Sequence, residues 1–288
     1  MSNRKFYIIV LLLLGMHVSM KAQWSYPYYF SPNQLPNLIN ILPAPPEDTS
    51  EAFAHDIMRY YWGKQQREDE ERVTVARRQA TWTLETMYNE FSEPYGMEIS
   101  STNTPQLCKL LDKALQTADK ICDGIKSHYN RRRPFDRLNE PVLTDGNEES
   151  AASLKQNGSY PSGHTNRSWV CALILSEINP DNAEAIYVCG LTYGESRVIV
   201  GAHWQSDVDA GRIAGSIAYS RLQTSPAFRE QLEKAKIEFL EKTQPTNVGA
   251  VTGSSSSSSD RTYSVNGTAV TDQSRGIVVQ DRQKVIRK

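Results

Sequence analysis

Between residues 104 and 125 the chain reads TPQLCKLLDKALQTADKICDGI. Its apolar positions, Leu107, Leu110, Leu111, Ala114, Leu115, Ala118, Ile121, Cys122 and Ile125, recur at three- and four-residue spacings. That is the period of an amphipathic helix, and Pro105 suits its first turn. The same period returns in SDVDAGRIAGSIAYSRL, through Val208, Ile213, Ala214, Ile217 and Ala218. Gly211 and Gly215, one turn apart there, predict close contact with a neighbouring helix. No alternating, strand-like segment occurs before residue 245. The pattern predicts an all-α helical bundle over residues 48–242.

The ends of the chain differ from this core. Residues 1–22 have the build of a signal peptide: a basic start (MSNRK), an apolar run (FYIIVLLLLGM) and SMKA, ending at Ala22. The apolar run is short for a membrane span and no other stretch approaches one, so the expected location is periplasmic or secreted. Residues 23–47, rich in Tyr, Pro and Asn, predict an extended N-terminal arm. Residues 243–260 form a Ser-rich linker. In 261–288 two short β-like runs flank a turn. They resemble the C-terminal sorting hairpins of exported proteins, with an unstructured tail as the alternative.

Charge and cysteines narrow the picture. The chain has 32 basic and 33 acidic residues, with no basic stripe for nucleic acid. Cys108 and Cys122 lie on what reads as one helix, about 21 Å apart, too far for a disulfide. Cys171 and Cys189 fall on successive helices, where a disulfide or two buried thiols are both open. The absence of a CxxC pair argues against zinc.

Three clusters carry candidate chemistry. In KSHYNRRRP, seven residues of helix turn about 700°, which would aim Lys126 and Arg133 the same way; a solvated basic turn with Arg131 and Arg132 is the alternative. In NGSYPSGHT, Ser162 and Gly163 open a helix whose free N–H groups suit an anion, beside His164. In SRVIVGAHWQSD, His203 and Asp207 are four apart, and an oriented His–Asp pair leaves one imidazole nitrogen free to attack. Arg197 adds a third cation. Two imidazoles, three cations, a glycine loop and one orienting carboxylate suit phosphoryl transfer. No carboxylate cluster of the kind that holds Mg²⁺ is evident, so neither metal nor cofactor is expected.

Lys-x6-Arg-Pro, Pro-Ser-Gly-His and Ser-Arg-x5-His-x3-Asp together resemble the signature of the type 2 phosphatidic acid phosphatase and vanadium haloperoxidase superfamily. HYNRRRPF, NGSYPSGHT, SEINP and SRVIVGAHWQSDVDA, with LPAPP and SPAFREQLEKAK at the edges, resemble its class A bacterial non-specific acid phosphatases, over residues 42–240. The resemblance implies an all-α, metal-independent phosphomonoesterase inhibited by vanadate. Lys126, Arg133, Arg197, Ser162 and Gly163 would bind phosphate. His203 would become a phosphohistidine, Asp207 would orient it, and His164 would act as acid and then base. Phosphotransferase side activity and a homo-oligomer are compatible with it. Arg132, Asp136 and the run Asn166–Arg167–Ser168 depart from the pattern and are expected to bear on the leaving group or the entrance. The alternative function is a vanadate-dependent haloperoxidase using the same anion site. A membrane lipid phosphatase would need spans, and a passive phosphate-binding protein would not need both histidines.

Overall fold

The computed structural model describes residues 28–144 and 151–243, together with the backbone of four short strands between 262 and 287. The expected signal peptide, the first residues of the arm and nearly all of the linker lie outside the described residues.

The described core runs through helices α1 (Glu51–Gln65), α2 (Glu70–Ala80), α3 (Leu84–Tyr95), α4 (Pro105–Lys120), α5 (Asp123–Tyr129) and α6 (Pro134–Leu138). It continues through α7 (Ala151–Lys155), α8 (Gly163–Ile178), α9 (Ala183–Ile199), α10 (Gln205–Gln223) and α11 (Pro226–Thr243). This is the all-α bundle that the periodicity predicts. α8 is its centre, packing against α4, α9 and α10. Thirteen of its sixteen residues are buried, so it shows no single apolar stripe: a helix enclosed on all sides needs none.

α4 buries the predicted stripe. Its N-terminal cap comes from far along the chain: the Glu238 carboxylate of α11 accepts the N–H groups of Gln106 (2.9 Å) and Leu107 (3.0 Å). An acidic group on the free N–H groups of a first turn is favourable through both hydrogen bonding and the helix dipole. α4 does not continue through Ile125 as the spacing suggests. It stops at Lys120, where Cys122 N–H turns back to the Asp119 carbonyl (3.1 Å), and α5 starts anew at Asp123. Cys108 is therefore on α4, whereas Cys122 caps the start of α5.

All four cysteines are free thiols, with Cys108, Cys122 and Cys171 buried. The open question at Cys171 and Cys189 is thus answered by packing rather than a disulfide. Burial pushes the Cys122 and Cys189 thiols up to about 12, which keeps them protonated and unreactive.

The predicted close contact of α10 is real. A Cβ on Gly211 would stand 2.7 Å from the Ser162 carbonyl oxygen, and one on Gly215 would stand 2.8 Å from that of Asn166. These glycines let α10 lie against the first turns of α8. They also fix which face is buried, and Ile213 falls outside it at 49% exposure, contrary to the stripe read from sequence. The arm, from residue 28, carries two short 3₁₀ turns. Tyr29 N–H bonds Thr117 Oγ1 (2.9 Å), Leu38 and Leu42 are buried, and the Pro43 carbonyl accepts the Tyr160 hydroxyl (2.7 Å).

Residues 245–288 form a separate compact unit. Strands β1 (Thr262–Ser264), β2 (Ala269–Val270), β3 (Gly276–Gln280) and β4 (Gln283–Arg287) make an antiparallel sheet in the order β2-β1-β3-β4. Four strands stand where the sequence suggests two short β-like runs.

Gly211→Ala should lower stability by about 1–3 kcal/mol through overpacking, whereas Ile213→Ala should stay within about 0.5 kcal/mol, as exposed substitutions do. Urea unfolding of both variants measures the contrast; equal midpoints would contradict the tight α8–α10 contact.

Candidate active site

The loop between α7 and α8 delivers the first group of candidates. Ser162 is the N-cap of α8, its Oγ accepting from Thr165 N–H (3.4 Å) and Thr165 Oγ1–H (2.9 Å). Its own N–H bonds the Asp207 carbonyl (2.9 Å), tying the loop to α10. Gly163 and His164 follow as the first residues of the helix, both buried. His164 Nε2 lies 3.1 Å from the Ala80 carbonyl oxygen. A carbonyl only accepts, so Nε2 carries the proton in this contact. Arg197 Nη1 reaches the same oxygen (3.4 Å).

Lys126 and Arg133 do meet at the site, but not as two side chains of one helix. α5 ends at Asn130, which takes a left-handed conformation (φ 39°), and Arg133 is the extended N-cap of α6. Pro134, at the start of α6, forbids helical continuity through Arg133. Arg133 is 3% exposed. Its Nε donates to the carbonyls of Leu154 (2.9 Å) and Asn157 (3.0 Å), and Nη1 donates to that of Ala202 (2.9 Å). Lys126 Nζ donates to the Gly158 carbonyl (2.7 Å). Desolvation, then the charge of Arg133, lowers the Lys126 ammonium to about 8.

His203 also sits outside a helix. α9 ends at Ile199, Gly201 turns the chain with φ +81°, and α10 begins at Gln205. The His203 and Ala202 N–H groups both bond the Arg197 carbonyl. Asp207, in the first turn of α10, accepts Trp204 N–H (2.8 Å) and faces His203 Nδ1 at 3.4 Å. His203 Nε2 lies 3.0 Å from Arg133 Nη1. With Nδ1 turned to a carboxylate, Nε2 keeps its lone pair, and that lone pair points at a guanidinium. Ser162, Asp207, His203, Arg133, Arg197 and His164 are thus joined through a short chain of contacts, Gly163 follows Ser162 in the same turn, and Lys126 reaches the loop at the Gly158 carbonyl.

Several members were missed. Arg131, which the alternative reading put in a solvated turn, has a side chain only 9% exposed: Nη1 binds Asp207 Oδ1 (2.5 Å) and Nη2 binds Asp56 Oδ2 (2.8 Å). Asp56, on α1, also accepts Ser206 N–H (2.8 Å) and the Ser206 hydroxyl (2.6 Å). Ser159 donates to Asp207 Oδ2. Arg132 alone fits the solvated reading, exposed and paired with Asp136 (2.8 Å). Of the three untypical residues after His164, Asn166 and Ser168 do not reach an entrance. Asn166 Nδ2 bonds the Ala118 carbonyl and Cys122 Sγ, and the Ser168 hydroxyl bonds the Thr165 carbonyl. Only Arg167 turns toward the site, pairing with Asp119 Oδ1 (3.0 Å).

Removing Arg131 would leave two buried carboxylates facing each other. Arg131→Met should therefore destabilise the fold by about 3–5 kcal/mol and depress turnover. Denaturant unfolding beside steady-state kinetics checks both, and wild-type values in both would refute the buried pair.

The PAP2 superfamily model matches residues 111–224, a span that contains every candidate residue. The chain is 41% identical over 213 residues to a non-specific acid phosphatase of Providencia stuartii, covering 74% of this chain and 84% of the relative. It is 35% identical over 237 residues to the non-specific acid phosphatase of Salmonella typhimurium, covering 82% and 93%. It is also 35% identical over 222 residues to an acid phosphatase of Zymomonas mobilis, covering 77% and 81%. With fold, site and relatives in agreement, the chain belongs to the class A bacterial non-specific acid phosphatases of the PAP2 superfamily.

Proposed function

We propose that this acid phosphatase hydrolyses diverse phosphomonoesters through a phosphohistidine on His203. The observation that supports this most is His203 itself: Nδ1 faces Asp207 while Nε2 points at Arg133 Nη1, 3.0 Å away. A phosphoryl group drawn in by that guanidinium meets the nitrogen lone pair directly.

In the first step His203 Nε2 attacks phosphorus. The N–P bond forms, the bond to the ester oxygen breaks, and His164 gives that oxygen its proton from Nδ1. In the second step His164 takes a proton from water, the resulting hydroxide attacks phosphorus, and the N–P bond breaks to release phosphate. Lys126, Arg133, Arg197 and the Ser162–Gly163 loop hold the three equatorial oxygens of both transition states, the role that fixed donors and cations play in phosphoryl transfer. These cations supply the neutralisation that a metal provides elsewhere, so EDTA is expected to have little effect. Vanadate, which accepts five-coordinate geometry as a stable state, is expected to inhibit competitively. An alcohol in place of water gives phosphotransfer. The leader at residues 1–22 supports export to the periplasm or beyond, and no helix among the described residues is long and apolar enough to cross a membrane.

The intermediate is testable by quenching the enzyme with ³²P-labelled substrate in alkali, where phosphohistidine survives. The parent should retain label. His203→Ala should lose both the label and more than about 10³-fold in kcat, and a folded variant with near-normal turnover would refute the assignment. Asp207→Asn should be milder.

A second test follows from Lys126. Its charge is lost as pH rises through about 8, and kcat/KM reports ionisations of the free enzyme. The kcat/KM profile should fall above about pH 8, and Lys126→Arg should move that limb upward, since arginine stays charged. A limb unmoved by the substitution would exclude Lys126 as its source.

A further inference from the structure

Asp56 is buried on α1 at 1% exposure, on a face it shares with Phe53, Tyr60 and Gly63. A carboxylate in such a place is costly unless its partners replace water. Oδ1 accepts Ser206 N–H (2.8 Å), and Oδ2 accepts the Ser206 hydroxyl (2.6 Å) and Arg131 Nη2 (2.8 Å). Arg131 Nη1 donates in turn to Ser206 Oγ (2.8 Å) and Asp207 Oδ1 (2.5 Å). One network thus runs from α1 to the first turn of α10. Part of it is capping. Trp204 stands at the N-cap of α10, and an indole has no acceptor to offer, so Asp56 supplies an oxygen that the first-turn N–H groups need. Capping calls only for an acceptor, which a neutral Asn also provides. The charge of Asp56 has a second use, and its other partner is Arg131.

We infer that Asp56 is a positioning residue for the nucleophile: by holding one end of Arg131, it leaves the Asp207 carboxylate available to His203. The inference rests on the phosphohistidine reading. When His203 Nε2 bonds phosphorus its ring becomes cationic, and Asp207 is the carboxylate placed to offset that charge. Arg131 competes for the same negative charge at Oδ1. Its Nη2 is committed to Asp56, so it meets Asp207 through Nη1. Without the charge of Asp56, Nη2 is released. A two-pronged pair with Asp207 then becomes favourable, because guanidinium and carboxylate match in that geometry. Such a pair turns Oδ2 away from His203 and spends the charge that the phosphorylated ring needs. Loss of the Asp56 charge should therefore resemble a partial loss of Asp207, although Asp56 acts at one remove from the chemistry.

Asp56→Asn tests this, since it keeps an acceptor for Ser206 N–H and deletes the charge. With para-nitrophenyl phosphate, kcat/KM covers the steps up to phosphorylation of His203. It should fall about tenfold, the effect of losing one hydrogen bond to a charged group. The inhibition constant of inorganic phosphate, which reads the cation cradle, should stay within about twofold of the parent's. In an Asp207→Asn background the same substitution should change kcat/KM by less than about twofold, because the residue it acts through is already neutral. A merely structural Asp56 would weaken phosphate binding along with kcat/KM, and would add its full loss to that of Asp207→Asn; either result overturns the inference. Should Asp56→Asn fail to fold, Ser206→Ala takes its place. Arg131 Nη1 then loses one acceptor, and kcat/KM should fall about threefold with phosphate inhibition unmoved; a parental kcat/KM would overturn the inference. The alkali-stable label separates the two readings. A labelled parent with an unaffected Asp56→Asn sinks the positioning role alone, and a parent without label removes the phosphohistidine and the positioning role together.

Discussion

Everything around this site answers to one constraint: several permanent cations must be held close together, largely out of water, before any substrate arrives. Burying a charge costs several kcal/mol unless polar partners replace the lost hydration. Among the described residues, backbone carbonyls supply several of these partners. The Ala80 carbonyl, at the end of α2, accepts from Arg197, and the Leu154 carbonyl, near the end of α7, accepts from Arg133. The Ala202 and Gly158 carbonyls lie in the two loops that carry the candidate residues. Helix C-termini carry partial negative charge, so short helices such as α7 give the cations compensation without adding a carboxylate that would repel phosphate. The lowering of Lys126 to about 8 shows that compensation is incomplete.

Arg131 bridges Asp207 and Asp56, so its charge is matched on both sides. Asp56 and Arg131 keep Asp207 from being drawn to Arg133 or Lys126, where it would occupy the anion site itself. Asp207 is held instead by Arg131 at Oδ1 and by Ser159 and the Trp204 N–H at Oδ2, the oxygen that also faces His203. Two glycines make this geometry reachable. Gly201 supplies the left-handed turn that swings His203 back toward Arg197, and Gly211 lets α10 close on the Ser162 carbonyl.

The sequence displayed the bundle and all eight candidate residues, because both are written in local spacing. Helical periodicity survives in any helix with one buried face, and the three clusters each fit within a dozen residues. What spacing could not carry is burial. Arg131 and Arg132 are adjacent and identical in type, yet one is enclosed by two carboxylates and the other is in solvent; only tertiary packing separates them. Asp56 lies about 150 residues from the Ser206 it holds, with nothing local to mark it. The helical spacing read from Lys126 to Arg133 ends early: a left-handed Asn130 closes one helix and Arg133 caps the next. Ile213 shows the reverse error, since glycine contact, invisible to a hydrophobic count, set the buried face of α10.

The two imidazoles divide their work according to what holds their other nitrogen. His203 Nδ1 faces a carboxylate, whereas His164 Nε2 donates to a neutral carbonyl that it shares with Arg197. A carboxylate compensates positive charge on its imidazole far better than a carbonyl dipole does, especially one already engaged by a guanidinium. In the proposed cycle His203 accumulates such charge when Nε2 bonds phosphorus, and Asp207 is in place to offset it. His164 must instead lose a proton in the first step and recover one in the second. With Nε2–H committed to the Ala80 carbonyl, both proton transfers of that cycle run through Nδ1. The two roles would be harder to exchange than the shared side chain suggests, because each is set by its acceptor rather than by the histidine itself.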